Sequence, residues 1–277
     1  MGAGPRSVVD QGPRIAAGAA EAKRMGGLAR GRTKAAEGAN EVWEIVKTLF
    51  WALLIALVLR VFLVQPYTIP SASMEPNLYE GDYIVVTKWS YGYSRHSAPF
   101  SPPLFEGRLL ARAPERGDVV VFKTPLDNRT DLVKRLIGLP GDRIQVRNSE
   151  LWLNGERVPR TPVPGAATDP RAMGEIFRET LPGGRSYLTQ DYGPDGGLDD
   201  TDVYVVPEGH YFMMGDNRDN SSDSRVPVGA GGVGYLPEEN LVGRARLVLV
   251  SWKPGASILK PWTWLNLNLD RFGRPLR

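Results

Sequence analysis

An apolar run near the N-terminus divides this chain into two parts of different character. Residues 49–64 read LFWALLIALVLRVFLV, with Arg60 as the only charged residue. The apolar side chains would cover every side of a helix, a pattern typical of a helix that is surrounded by lipid. Together with residues 45–48 the run reaches about the 20 residues needed to cross a bilayer. We therefore predict a single transmembrane helix over residues 43–65.

The segment before this run is basic. Residues 1–42 are rich in Gly, Ala and Arg and poor in large apolar side chains, so we predict a disordered tail. The positive-inside rule counts Lys and Arg near the span, and these outnumber Asp and Glu over residues 1–47. A cleavable secretory signal is disfavoured because the run begins too far from the N-terminus. We predict a cytoplasmic N-terminus and an exported body over residues 66–277.

The exported body has the sequence pattern of an all-β domain. Short runs rich in β-branched residues alternate with Gly and Pro, and residues 83–88 and 118–123 each follow a Gly-Asp turn. Further strands are predicted over residues 132–137, 143–147, 150–153, 203–206, 211–214 and 241–252. Residues 157–202 are rich in Pro, Gly and Asp, and we predict that they form an inserted β-rich lobe or long loops outside the catalytic core. The fold class is therefore mainly β behind a single transmembrane helix.

Composition removes several kinds of chemistry. The chain has no cysteine, which excludes disulfides, a thiol nucleophile and thiolate metal sites. Its only two histidines, His96 and His210, leave little material for a Ser-His-Asp triad or a histidine metal site. The net charge of +3 is mild and mixed, which does not favour a nucleic-acid partner. We predict no metal and no organic cofactor, so that a hydrolytic mechanism would need a base other than histidine.

Three segments of the body carry the residues for such a mechanism. They are residues 70–78 (PSASMEPNL), 131–142 (DLVKRLIGLPGD) and 215–225 (GDNRDNSSDSR). Alternation along a strand would turn Lys134 toward the core, where burial lowers the pKa of an amine and makes it a usable base. Taken alone, a serine in a turn is usually structural, and a strand lysine can extend along the surface to water. The acidic spacing of the third segment lacks the glycine and glutamate of a calcium loop.

In this order and behind a membrane anchor, the three segments resemble the catalytic boxes of type I signal (leader) peptidases. These are membrane-bound proteases that use a serine and a lysine. The resemblance implies that Ser73 is the acylating nucleophile and that Lys134 is its general base. It also implies that the Ser71 hydroxyl and the Ser73 backbone N–H form the oxyanion hole. Departures are modest: there is one span where some members have two, and residues 75–77 differ from the commoner box.

The third box adds supporting residues. By the same resemblance, Ser221 would hydrogen-bond and orient the lysine amine, while Asp223 and Arg225 buttress the site. Asp216 is expected to pair with Arg135.

Four apolar residues match positions that line the family's substrate cleft. They are Ile69, Met74, Leu78 and Val133, and Met74 could equally be a plain core residue. The family's cleft accepts small side chains at the first and third residues before the scissile bond, as in A-x-A-like signals. The partners predicted are therefore preprotein signal peptides with small residues at the cleavage site, and a phospholipid membrane.

The function predicted is removal of N-terminal signal peptides from exported preproteins at the outer, periplasmic side of a bacterial cytoplasmic membrane. One alternative is a relative specialised for one substrate class, such as a pilin or conjugation precursor. Another is a self-cleaving repressor-type Ser/Lys peptidase, which would need a DNA-binding domain or a cleavable hinge and no membrane span. A catalytically inactive β-scaffold would be expected to lack Ser73 or Lys134, and both are present.

Overall fold

The chain forms two compact units, Met1–Leu57 and Val58–Arg277. In the computed structural model the described residues are 42–60, 62–98, 101–102, 106–163, 173–194, 196–253, 255–256 and 260–276. The predicted disordered tail, residues 1–42, lies outside the described residues except for Val42.

One helix among the described residues, α1 (Val42–Arg60), is long and apolar enough to cross a membrane. Its 19 residues have a mean hydropathy of 2.1, and none of its most apolar stretch is buried inside the protein. The predicted span extended to residue 65, but Val64 and Gln65 already belong to the first strand, where they lie opposite Thr87 and Val86. The apolar sequence continues past the helix because β-branched and aromatic residues also suit a strand.

Fourteen strands form three sheets in the described part of the chain. They are β1 (Val64–Thr68), β2 (Asp82–Thr87), β3 (Val119–Lys123), β4 (Asp131–Gly138), β5 (Arg143–Arg147), β6 (Glu150–Leu153), β7 (Glu156–Arg157), β8 (Arg160–Pro162), β9 (Glu175–Thr180), β10 (Ser186–Asp191), β11 (Tyr204–Val205), β12 (His210–Met214), β13 (Leu236–Pro237) and β14 (Leu241–Ser251). The predicted mainly β fold is confirmed.

The largest sheet is curled and has the strand order β1-β2-β14-β3-β4-β12-β13. Its eleven-residue strand β14 pairs antiparallel with both β2 and β3, with shifts of register that bend it. The side chains of Ile84, Val86, Val121 and Val248 are completely buried in its core. This sheet places β4, which carries Lys134, between β3 and β12.

Two smaller sheets complete the second unit. One has the order β11-β5-β6-β7, and its β6–β7 turn has Asn154 and Gly155 at φ 55° and 85°, the left-handed conformation of a tight hairpin. The other has the order β10-β9-β8 and lies within the predicted insertion, residues 157–202. The insertion is β-rich, as predicted.

Candidate active site

The serine turn follows directly from the end of β1. Ala72–Met74 form a single 3-10 turn in which the Ser73 side chain is buried. The backbone N–H of Asn217 donates to the Ser73 carbonyl at 3.2 Å, and its Nδ2 donates to the Ala72 carbonyl at 3.2 Å. Residues of the third box therefore fix the backbone on which Ser73 sits.

Lys134 reaches this serine from the middle of the large sheet. It lies opposite Val120 on β3, and its side chain is only 4% exposed. The amine Nζ donates a hydrogen bond to Ser73 Oγ at 2.5 Å, across 61 positions of sequence. The structure thus brings together the two residues predicted as nucleophile and base.

The surroundings of Lys134 favour its neutral form. Burial lowers the pKa of Lys134 from its ordinary 10.5 to about 8. The carboxylates of Asp223 and Asp216 raise this pKa, while Arg225 lowers it further. A pKa near 8 leaves a usable fraction of free amine at neutral pH.

The two other serines predicted for the site differ in position. Ser71 is exposed, and its hydroxyl lies 3.3 Å from Ser73 Oγ. Ser221 Oγ is buried and has no hydrogen-bond partner among the described residues, so the predicted bond to the Lys134 amine is absent. Ser221 and the serine turn both pack against Gly215: a Cβ on that glycine would be 2.2 Å from Ser221 Oγ and 2.6 Å from the Ser73 carbonyl oxygen. The absence of a side chain at Gly215 therefore leaves the space into which Ser221 and the serine turn both pack.

Asp223 and Arg225 form a buried pair beneath the site. The Arg225 guanidinium donates to both carboxylate oxygens at 2.9 Å, and the Gly215 N–H donates to Asp223 Oδ2 at 2.9 Å. Burial raises the pKa of Asp223, but Arg225 and these hydrogen bonds lower it more, so the carboxyl remains ionised. Asp223 thus both fixes Gly215 and supplies negative charge near Lys134.

The expected pair between Arg135 and Asp216 is present and buried. Arg135 Nε and Nη2 donate to the two oxygens of Asp216 at 2.7 and 2.8 Å, and Nη1 donates to the Gly117 carbonyl at 2.7 Å. The guanidinium also stacks 4.1 Å from the ring centre of Tyr187. Removing one partner of such a pair typically costs about 3–5 kcal/mol, since the other charge is left buried.

A small cleft of about 80 Å³ opens beside the dyad. Of the predicted substrate residues, Ile69, Met74 and Val133 line it. Leu78 does not: it is completely buried in the core beneath the serine turn. The cleft is also lined by residues that sequence reasoning missed, among them Tyr67, Thr68 and Leu132. Tyr67 and Thr68 precede the first box on β1, and Leu132 lies within the second box on β4. Their positions next to the boxes that hold Ser73 and Lys134 are the signal that could have found them.

The inserted lobe, which was predicted to lie outside the catalytic core, contacts the third box directly. The Gln190 N–H donates to the Asp216 carbonyl at 2.8 Å, and the Arg218 N–H donates to the Gln190 carbonyl at 2.9 Å. Asn217 Nδ2 donates to the Tyr192 hydroxyl at 3.0 Å. Strand β10 therefore continues its backbone pairing onto the third box.

Two side-chain contacts strengthen this connection. Asn77, just after the serine turn, donates from Nδ2 to the Leu188 carbonyl at 2.7 Å and to Asp216 Oδ2 at 2.8 Å. Arg218 forms a buried ion pair with Glu179 of β9. Neither Glu179 nor Leu188 belongs to a recognisable motif, which is why the sequence did not reveal them.

Comparison with known proteins agrees with this geometry. The model of the family described as signal peptidase, peptidase S26, matches residues 42–252. The chain belongs to this family. As a peptidase S26 member it is a serine peptidase, and the family supports removal of signal peptides as its activity. The chain is 43% identical to signal peptidase I of Rickettsia felis over 241 residues, which is 80% of this chain and 88% of the relative.

A second relative gives the same family. Signal peptidase I of Rickettsia canadensis is 43% identical over 249 residues, covering 83% of this chain and 92% of the relative. A crystal structure of a signal peptidase I from Enterococcus faecalis V583 matches 48% of this chain and 97% of its own, with 24% identity and a TM-score of 0.29. That overall likeness is too low to support an argument about this chain.

Proposed function

We propose that this peptidase removes N-terminal signal peptides from exported preproteins with Ser73 as nucleophile and Lys134 as general base. The observation that carries the proposal is the 2.5 Å hydrogen bond between Lys134 Nζ and Ser73 Oγ. A serine hydroxyl is a weak nucleophile unless a neighbouring base takes its proton during attack. A buried amine with a pKa of about 8 meets that need without histidine or metal.

The reaction would run in two halves. Ser73 Oγ attacks the scissile carbonyl while Lys134 Nζ accepts the hydroxyl proton, and the resulting ammonium then gives that proton to the leaving amine. The peptide bond breaks and the signal peptide remains as an ester on Ser73. In the second half Lys134 accepts a proton from water, whose oxygen attacks the ester. The Lys134 ammonium returns this proton to Ser73 Oγ as the ester bond breaks, so the serine hydroxyl is restored and the signal peptide leaves with a free carboxyl group.

The developing oxyanion requires donors on the exposed side of Ser73. The Ser71 hydroxyl, 3.3 Å from the nucleophile, and the Ser73 backbone N–H are the groups we assign to this role. Removing one donor of this kind typically costs about 2.7–4 kcal/mol of transition-state stabilisation. Asp223, Arg225 and Ser221 shape the floor of the site, through Gly215 and through the electrostatic field at Lys134.

The substrate preference follows from the small cleft beside the dyad. Its walls carry Ile69, Met74 and Val133, and its volume of about 80 Å³ favours small side chains next to the scissile bond. This supports signal peptides with A-x-A-like cleavage sites as substrates. Leu78 would act only through the packing of the serine turn.

The proposal includes a membrane location. Helix α1 would anchor the protein in the bacterial cytoplasmic membrane, with residues 1–42 in the cytoplasm and residues 66–277 on the outer side. The apolar composition of α1 and the basic residues before it support this orientation. The outer side is where the signal peptides of exported preproteins become accessible.

The test is cleavage of a preprotein with an A-x-A site by the full chain in neutral detergent. Wild type is compared with Ser73→Ala, and with Ser222→Ala as a matched control, since Ser222 is an exposed serine of the third box. We expect cleavage at the A-x-A site, confirmed by the mass of the mature product, for wild type and Ser222→Ala only. Cleavage by Ser73→Ala would overturn the nucleophile. Folded wild-type enzyme that leaves a panel of such preproteins intact would favour a specialised substrate class.

A further inference from the structure

A second cavity, of about 380 Å³, lies behind the catalytic strand. Lys134 and Arg135 are successive residues of β4, so their side chains point to opposite faces of the sheet. Lys134 faces the small cleft, whereas Arg135 lines this second cavity. The cavity also borders Asn77, and its remaining walls come from the inserted lobe and the C-terminal segment.

The walls of this cavity are strongly basic. Arg178 of β9, Arg274 of the C-terminal segment and Arg135 all line it, and no Asp or Glu is among its described lining residues. Asp216 neutralises Arg135 from the side, which leaves a charge of about two from Arg178 and Arg274.

The two exposed arginines differ from their neighbours in sequence. Arg185, which follows β9, pairs with Asp118, and Arg271, three residues before Arg274, pairs with Asp82. Within the described part of the chain, neither Arg178 nor Arg274 has such a carboxylate. Near β9, Arg185 pairs with a carboxylate while Arg178 lines the cavity. In the C-terminal segment, Arg271 pairs with a carboxylate while Arg274 lines the cavity.

The chemistry of these groups selects an oxyanion with several oxygens. Guanidinium groups bind phosphate through two parallel N–H donors, and they do so better than ammonium groups. Ser186 adds a hydroxyl to the cavity wall; it shares a 2.8 Å hydrogen bond with Thr180, so its own proton is free to donate when Thr180 is the donor. A single tetrahedral phosphate is much smaller than the cavity.

We propose that this cavity binds a phosphate group, either as the free anion or as the phosphate diester of a lipid headgroup. The site is separate from the small cleft and is independent of the proposed dyad. It nevertheless touches the buried network that supports the dyad, through Arg135 and Asn77, both of which bond to Asp216. Because Arg178 and Arg274 are exposed and salt screens exposed charges, we expect only weak affinity for inorganic phosphate.

The test uses the full chain in neutral detergent and the midpoint of its thermal unfolding. Sodium phosphate is titrated against sodium chloride at constant ionic strength, and in a second arm short-chain phosphatidylglycerol is added to the micelles. The variants are Arg178→Gln, Arg274→Gln and the double substitution. The control is Arg147→Gln, an arginine stacked on Trp152 in the β5–β6 hairpin.

We expect a saturable rise of the midpoint in wild type and Arg147→Gln, a smaller rise in each single variant, and none in the double variant. A rise with inorganic phosphate alone identifies a free anion as ligand, and a rise with phosphatidylglycerol alone identifies a lipid headgroup. The proposal fails if neither probe raises the midpoint of wild type. It fails equally if the double variant responds as wild type does.

Discussion

Two lysines are buried in the described part of the molecule, and their comparison shows what makes one of them a candidate base. Lys134 is 4% exposed and Lys88 is 2% exposed, and burial lowers the pKa of each to about 8. Their acceptors differ: Lys134 Nζ donates to the Ser73 hydroxyl, whereas Lys88 Nζ donates to the Ser97 carbonyl at 2.5 Å. A carbonyl oxygen has no proton to give up, so Lys88 has nothing to activate. A lowered pKa marks a candidate, and the group at the other end of the hydrogen bond decides the chemistry.

The largest expected effect is a difference in kcat between substitutions of Lys134 and of Lys88. Lys134→Met should lower kcat for preprotein cleavage by about 10³-fold or more, since general-base catalysis is lost. Lys88→Met should leave kcat within about threefold, because Lys88 touches no reacting group. Both are measured with saturating substrate, and circular dichroism verifies the fold. Equal loss of activity in two folded variants would break the distinction.

Substitution of either lysine should change the free energy of unfolding with the same dependence on pH. A folded-state pKa of about 8, below the ordinary 10.5, means that the unfolded chain binds more protons between these values. Wild-type stability therefore rises as the pH increases from about 8 to 10.5, and the penalty for burying the lysine is full below pH 8. Lys134→Met should raise the free energy of unfolding at pH 7 by on the order of 3 kcal/mol.

This gain in the free energy of unfolding of Lys134→Met should shrink toward zero near pH 10.5. Denaturant unfolding at several pH values measures it. Lys88→Met should follow the same pH trend with a smaller gain, because the Ser97 carbonyl loses its buried donor. A Lys134→Met gain that stays constant from pH 7 to 10.5 would show that burial does not lower the lysine pKa.

A third substitution tests how closely the floor of the site must pack. In Gly215→Ala the new Cβ would press on the Ser73 carbonyl at 2.6 Å and on Ser221. We expect kcat to fall by about 10- to 100-fold, since small displacements of a nucleophile carry a large penalty. Gly229→Ala is the control, because a Cβ there meets nothing within 4 Å. Similar kcat values for the two variants would show that the serine turn tolerates displacement.

The smallest expected effect concerns the inserted lobe. Tyr192→Phe removes the hydroxyl that accepts from Asn217 Nδ2, and Asn217 in turn holds the Ser73 carbonyl. Because one neutral hydrogen bond is lost, we expect kcat to fall by about three- to tenfold with KM unchanged. Tyr83→Phe, whose ring packs on Trp252, is the control. A fall in both variants would indicate a general loss of packing instead of a positioning role.

Sequence patterns predicted the elements well where the signal is local. Alternating β-branched residues located β2, β3 and β4 to within one residue, and Asn154-Gly155 marked its hairpin turn. The end of α1 was placed too late, because the apolar residues that follow it, Val64 among them, suit both a helix in lipid and a strand.

The candidate site depended on contacts that no local pattern encodes. Ser73 and Lys134 are 61 positions apart, and only the resemblance to a family linked them before the fold did. Tyr192 and Glu179 could not be recognised, because their importance arises from β10 pairing with the third box. Ser221 was expected at the lysine amine, but its buried hydroxyl has no hydrogen-bond partner among the described residues. Non-local packing decided each of these outcomes.

The most direct test of the dyad is the pH dependence of kcat/KM for preprotein cleavage between pH 6 and 10. This quantity reports the ionisation of essential groups in the free enzyme. We predict a rise of about tenfold per pH unit below the pKa of Lys134 and a plateau above about 8, because only the neutral amine can accept the Ser73 proton. A profile that is flat from pH 6 to 8 would contradict Lys134 as the base.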